Sequence, residues 1–166
     1  MDRRRLPLYR GSCSELRKPS MLNMLSYEAS ATLNASAAAV WQVLSEVEAW
    51  PTWTATMSAV QGREGPALKL GASFTIHQPR LRPATWVVTA LDPPRTFQWT
   101  SRSPGLCVQA DHVVQASGPA ACRLLLRIGF AGLLAPVAGR LARALTQAYL
   151  EQECASLKAV VEAKRQ

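Results

Sequence analysis

His112 is the residue whose type and setting first suggest chemistry. It stands in Leu106–Ala116, where Leu106, Val108, Ala110 and Val114 recur at every second position. A strand there turns the imidazole to the same side as those apolar residues. An imidazole on an apolar wall could act as acid, base or hydrogen-bond donor to a ligand carbonyl. It could equally be a core side chain bonded to a backbone group, and the residues alone favour that second use. His77, the other histidine, has outward parity near a turn and is given no role.

Little else in the chain offers reactive groups. Beyond residue 20 there are nine acids, most of them in loops or on helix surfaces. No Gly-rich phosphate loop, GxSxG, HExxH or acidic metal cluster occurs. The cysteines Cys13, Cys107, Cys122 and Cys154 form no CxxC and have no histidine at metal-ligand spacing. A hairpin closing at Ser117-Gly118-Pro119 with Ala116 facing Ala120 sets Cys122 opposite Val114, away from Cys107. Buried free thiols in a reducing compartment follow. No metal site and no cofactor are expected, and His112 is the one catalytic candidate.

The elements that must position these residues are legible from turn formers and periodicity. Tyr27–Asn34 alternates as a strand, and Asn34-Ala-Ser36 signals a helix start before Val40, Trp41, Val43, Leu44 and Val47. A second short helix fits Glu48–Trp53. Six β segments follow: Met57–Arg63, Ala72–Gln78, Ala84–Leu91, Arg95–Ser101, Leu106–Ala116 and Ala121–Phe130. The links between them are short, which implies an antiparallel meander. Alternation gives one apolar face: Phe74, Ile76, Trp86, Val88, Ala90, Phe97, Trp99, the His112 strand, Leu124, Leu126, Ile128 and Phe130. Ser101 and His112 are its only obvious polar members, and Arg123 and Arg127 take the other face.

A long helix, Leu134–Ala163, ends the chain, with Pro136 tolerable only near its start. Leu134, Val137, Leu141, Leu145 and Ala148 form one apolar stripe. Leu150, Cys154, Leu157 and Val161 form another, rotated by roughly half a turn at about 100° per residue. The two halves then contact different things, with room for a bend near Thr146–Tyr149; a helix simply apolar on two sides stays equally open.

Bulk properties narrow the class. A chain of 166 residues, 48% hydrophobic and 18% charged, suits one domain that needs no disulfide or metal staple. Its net charge is +8, but the first twenty residues carry six basic and two acidic groups, half of that excess. The remaining arginines sit singly among apolar residues, and no nucleic-acid recognition signature is present. The longest apolar run, Ile128–Gly139, has 12 residues, short of the ~18 of a membrane span. Arg3-Arg4-Arg5 lacks a following apolar segment, so the default expectation is cytoplasmic. Residues 1–24 read as a basic, disordered tail, an over-extended gene start being one explanation. Residues 25–163 read as the domain and 164–166 as a frayed end.

The order β–α–α–β₆–α resembles the START/polyketide-cyclase (SRPBCC) superfamily and its helix-grip fold. The likeness runs from about Tyr27 to Ala163. It rests on Ala35-Ser36-Ala-Ala-Ala-Val40-Trp41 through Trp50-Pro51-Thr52-Trp53, on Gly65-Pro66-Ala67-Leu68-Lys69-Leu70-Gly71, on Leu91-Asp92-Pro93-Pro94-Arg95-Thr96-Phe97-Gln98-Trp99, and on Ala110-Asp111-His112. Glu46 stands where the family usually has Asp, a position expected to be structural.

The resemblance implies an α+β fold: a six- to seven-stranded curved antiparallel sheet, two short helices and a long C-terminal helix over a cavity. It also tips the aromatic residues towards lining that cavity and not merely filling a core. The ligand-binding residues expected on this basis are Trp50, Trp53, Phe74, Ile76, Trp86, Val88, Phe97, Trp99, Ser101, His112, Leu126, Phe130, Leu141 and Leu145. The implied function is binding of a hydrophobic or aromatic small molecule, as carrier or sensor, without catalysis. The alternatives are an aromatase/cyclase-type enzyme using His112, or an interaction or membrane-surface module in which Arg127, Arg140 and Arg143 bracket the apolar run. No nucleic-acid partner is expected.

Overall fold

Ser36 begins the first helix by the mechanism its residue type suggests: its Oγ accepts the Ala39 N–H at 3.2 Å. In the computed structural model, which describes residues 25–164, helix α1 spans Ala37–Ser45 and buries Val40, Val43 and Leu44. A 3₁₀ turn, Val47–Thr52, follows with Pro51 inside it. The Trp50 indole N–H donates to the Leu44 carbonyl at 3.0 Å and ties this turn to α1. The expected tail, residues 1–24, lies outside the described residues, as does Cys13.

Seven strands make one antiparallel sheet: β1 (Leu25–Leu33), β2 (Ala59–Gly62), β3 (Ser73–His77), β4 (Ala84–Asp92), β5 (Thr96–Ser103), β6 (Leu106–Gly118) and β7 (Ala121–Ala131). Their order is β1-β7-β6-β5-β4-β3-β2. From β2 to β7 the chain meanders through short turns, and β1 closes on β7 with Leu25 opposite Phe130 and Leu33 opposite Cys122.

Two irregularities correct the sequence reading. A bulge between Val88 and Ala90 reverses the parity of β4, so Ala90 is exposed and Leu91 lies opposite Phe97. The last hairpin closes around Pro119-Ala120, with Gly118 opposite Ala121, and a second bulge between Ala116 and Gly118 then sets Cys122 opposite Ala116 instead of the expected Val114. Cys107 pairs with Ala131, and Cys107, Cys122 and Cys154 are free thiols.

Helix α2 runs over Ala135–Ala163, with Pro136 in its first turn. It lies along β1 and is held there at intervals. Tyr27 Oη donates to the Gly139 carbonyl at 3.0 Å, and the Asn34 N–H donates to Glu162 Oε1 at 2.8 Å. From across the concave face the β3–β4 loop reaches it too: Tyr149 Oη donates to the Pro79 carbonyl.

The sheet is met by Ala135 and Gly139 in the first half of α2 and by Leu150, Glu153, Cys154, Leu157 and Val161 in the second. The expected first stripe therefore points away. Val137 and Leu141 lie about 160° around from Gly139 on either side at 100° per residue, and both are exposed. The physical reason is close approach. A Cβ on Gly139 would come 2.5 Å from Leu25 Cδ2 and 3.4 Å from Phe130 Cδ2, so a larger residue there would have to displace Leu25.

The link from β7 into α2 needs a glycine. Gly132 has φ +107°, and a Cβ on it would come 2.5 Å from the Gly105 carbonyl oxygen. The Leu134 N–H donates to that same oxygen at 3.0 Å, which joins the start of α2 to the β5–β6 turn.

Candidate functional site

Antiparallel pairing lines up the inner face in rows. Phe97, His112 and Leu126 form one; Val88, Trp99, Ala110 and Ile128 form the next. His112 is buried, with its ring flat on Phe97: centroids 4.1 Å apart, planes within 5°. Trp50 and Trp99 close around it at centroid distances of 5.4 and 5.5 Å. Burial drives the imidazole pKa down to about 3, against a smaller opposing hydrogen bond to the Phe97 backbone. At neutral pH the ring is uncharged, and its buried Nδ1 has no partner within the protein.

Opposite the sheet, α2 contributes a group that the sequence reading missed. Glu153 lies buried on the same helical face as Leu150 and Leu157. Its Oε1 accepts from Thr56 Oγ1 at 2.8 Å, and Thr56 Oγ1 lies 2.9 Å from Thr54 Oγ1. Both threonines are buried in the segment between the 3₁₀ turn and β2. Burial raises the carboxyl pKa to about 7, opposed by the Thr56 hydrogen bond. The signal was present in the spacing: an acid three residues after Leu150 and four before Leu157, inside an otherwise apolar stripe. Neighbouring Cys154 is raised to about 12, by burial first and then by the Glu153 and Glu151 charges, so its thiol stays protonated and inert.

Between these two groups lies a cavity of about 40 Å³, bordered by Met57, Ile76, Gln78, Trp86, Trp99, Ala110, Asp111, His112, Leu126, Arg127, Ile128, Leu150 and Glu153. Trp86 brings a second unpartnered buried polar atom, its indole Nε1. A cavity of this size holds a water molecule or two, not a metabolite. Most of the expected open space is occupied by aromatic rings. Trp50, Phe74 and Phe97 are completely buried, and Trp99 touches four other aromatic rings besides His112.

The fourteen ligand-binding residues expected from the sequence divide accordingly. Ile76, Trp86, Trp99, His112 and Leu126 border the cavity. Trp50, Phe74, Val88 and Phe97 form the buried layer behind it, and half-buried Trp53 packs against that layer. Ser101 pairs between Trp86 and Val108 without reaching the space. Phe130 packs edge-on against Tyr27 and near Gly139, under the start of α2. Leu141 is exposed and Leu145 half-buried, and neither borders the cavity, because the outward stripe of α2 carries both.

A broad open groove of about 810 Å³ lies at the other end of the sheet, between Asp92–Thr96, Val113–Ala116 and Ala37. Its charged pair, Arg95 and Asp92, is exposed and mutually satisfied at 2.9 Å. The smaller inner cavity is the candidate site, because the perturbed and unpartnered groups converge there. Among the described residues, no three His, Cys, Asp or Glu side chains come together as metal ligands would, and no helix is long and apolar enough to cross a membrane.

Known proteins share this architecture. Norcoclaurine synthase from Thalictrum flavum, solved as a point mutant with a transition-state analogue, superposes with a TM-score of 0.70 at 12% identity, covering 86% of this chain and 97% of that one. The Zhui aromatase/cyclase from Streptomyces sp. R1128 superposes with a TM-score of 0.67 at 19% identity, covering 86% of this chain and 96% of the other. At such identities the likeness is one of fold. In sequence, the oxopyrrolidines biosynthesis cluster protein O of Penicillium oxalicum is 29% identical over 107 residues, 55% of this chain and 53% of that protein. The chain thus spans about half the length of that relative. Residues 24–162 match the family described as polyketide cyclase / dehydrase and lipid transport. With the seven-stranded helix-grip architecture, that match makes the chain a member of the polyketide cyclase/dehydrase and lipid transport family, within the START (SRPBCC) superfamily.

Proposed function

We propose that the chain binds one small, largely apolar or aromatic molecule carrying a hydrogen-bonding group, between the sheet and α2. One observation carries this reading. Trp86 and His112 border the same cavity, and each carries a buried ring nitrogen, Nε1 and Nδ1, without a partner in the protein. Buried polar groups are satisfied by protein, water or ligand, so these two nitrogens offer the hydrogen bonds that a polar group on an occupant would take. Glu153 adds an acid on the opposite wall that is protonated in a large fraction of molecules near neutral pH. Such a set suits a carbonyl or phenol on an otherwise apolar body. Since the cavity is too small for that body, binding requires bordering side chains such as Trp86 and Trp99 to swing aside.

The family description and the names of the aromatase/cyclase and biosynthetic-cluster relatives support a ligand of this kind. The test is native mass spectrometry of the full chain as purified, with tryptophan fluorescence during titration with 2-naphthol. A retained small molecule, or saturable quenching that His112→Phe weakens, is the expected result. A clean apo mass with no quenching would end the reading.

A second reading, acid–base catalysis of ring closure or dehydration, is favoured by one feature. Glu153 has a pKa of about 7, close to the value at which a carboxyl can both give and take a proton at neutral pH. In that scheme Glu153 exchanges the proton, the Trp86 indole N–H donates to the substrate carbonyl, and Nδ1 of neutral His112 accepts from a substrate hydroxyl. A Glu153→Gln variant that turns over a polyketide-type substrate at the unmodified rate would exclude it.

A further inference from the structure

The first turns of α2 expose a patch that the fold itself does not use. Leu133 is 93% exposed, Leu134 52%, Val137 61% and Leu141 84%. Together these side chains present apolar area of the order of a few hundred Å², the size at which an exposed patch marks an interface.

Its surroundings are one-sidedly basic. The β3–β4 loop, the β5–β6 turn and the β7–α2 link all lie at one end of the sheet, because strands β3 to β7 alternate in direction. The loop contributes Arg80 and Arg82, the end of β5 contributes Arg102, and α2 contributes Arg140 and Arg143, all exposed. Among the described residues none of the five has a salt bridge; Arg140 Nη1 donates only to the Pro136 carbonyl, at 3.3 Å. No acid occurs in residues 78–83, 102–105 or 131–150.

We infer that this end of the molecule docks on an anionic lipid bilayer, with the leucines in the interface and the arginines on the headgroups. An apolar centre with a wholly cationic border is the pattern of a peripheral membrane surface. A second copy of this chain fits less well. A two-fold contact would bring the same uncompensated arginines against each other. The inference does not depend on what the inner cavity holds. The two are neighbours, since Gln78 at the start of the same loop and Leu150 and Glu153 of α2 also border the cavity.

The experiment is flotation of the full chain with vesicles of phosphatidylcholine alone and of phosphatidylcholine with phosphatidylglycerol. Two double variants accompany it, Leu133→Ser with Leu141→Ser and Arg140→Gln with Arg143→Gln, their folding checked by circular dichroism. All four positions are exposed, so the fold should be kept. The expected result is flotation with the anionic vesicles, weakened by added salt and largely lost in the leucine variant. The arginine variant should bind roughly 30-fold more weakly, since each arginine near such a surface contributes about a fivefold factor. Three outcomes would overturn the inference: no flotation with anionic vesicles, equal flotation with both kinds, or flotation that neither variant changes. The last would assign any binding to residues 1–24, whose charge both variants retain. A dimer in solution that the leucine variant abolishes, without lipid binding, would overturn it in favour of self-association.

Discussion

The His112 imidazole lies on the Phe97 ring as one aromatic ring on another, 4.1 Å between centroids and 5° between planes, with its Nδ1 left unpaired. Packing and polarity thus make opposite demands at one side chain. Removing the ring should be harmful, whereas replacing it with an apolar ring should cost much less.

His112→Ala is expected to destabilise the protein by about 2–4 kcal/mol, the range for truncating a large buried side chain. His112→Phe should lose much less stability than His112→Ala, because it keeps the stack and removes an unsatisfied polar atom while giving up the hydrogen bond to the Phe97 backbone. It should nevertheless bind 2-naphthol less tightly. Equal instability of the two variants in urea would show that the hydrogen bond to the Phe97 backbone, and not the ring stack, is what the imidazole contributes.

Glu153 and His112 act oppositely on stability as pH changes. The folded protein holds the Glu153 proton more tightly than the unfolded chain, with a pKa of about 7 against 4.5, so stability falls as pH rises through that window. It holds the His112 proton less tightly, about 3 against 6.5, so stability rises across that window. Each contributes roughly 1 kcal/mol per pH unit, and between 4.5 and 6.5 they nearly cancel. Glu153→Gln removes the falling limb. It should exceed the parent at pH ~8 by the order of 2 kcal/mol and converge with it near pH ~4. Urea midpoints that differ equally at both pH values would refute the linkage.

Trp86→Ala should cost about 3–5 kcal/mol and leave a hole next to the cavity. Added indole should restore part of the melting temperature, as a ligand that binds only the folded state must. A loss with no rescue would mean that the site collapses when emptied.

Gly132→Ala should destabilise by about 1–3 kcal/mol, from the positive φ and the clash with the Gly105 carbonyl. The loss should be largest in the first turns of α2, seen as faster amide exchange there. Unchanged exchange would mean that the β5–β6 turn can yield.

We also propose that residues 1–24 are dispensable for folding. The family match begins at residue 24, and β1 is already paired from Leu25 onward. A chain starting at Met24 should melt within a few degrees of full length, a change of about 1 kcal/mol or less. A large drop would mean that the domain begins earlier.

The sheet was legible because turn formers and alternation reinforce each other. Phe97, Trp99 and His112 could be placed on one face from parity alone. Ala90 could not, and neither could the partner of Cys122, since a bulge leaves no mark in the alternation until the partner strand is seen. On α2 the largest apolar residues looked like the inner face, but contact with β1 takes the smallest ones, at Ala135 and Gly139. Glu153 was missed for a related reason: an acid near the chain end reads as surface until the burial of Leu150 and Leu157 on either side is recognised. The aromatic residues were identified correctly as inner-face groups. Whether they line a space or fill it depends on rotamers, which spacing does not encode.

The closure of the sheet also bears on how the chain is made. Of the seven described strands β1 leaves the ribosome first, but its partner β7 leaves last, and α2, which lies along β1, follows later still. Through most of synthesis β1 therefore has no native neighbour, while β2 to β6 can already pair in sequence. Contacts between the two ends of a chain form late and slow folding. An unpaired β1, alternating and apolar on one side, is then the segment most open to wrong partners or to a holding chaperone until α2 has been released.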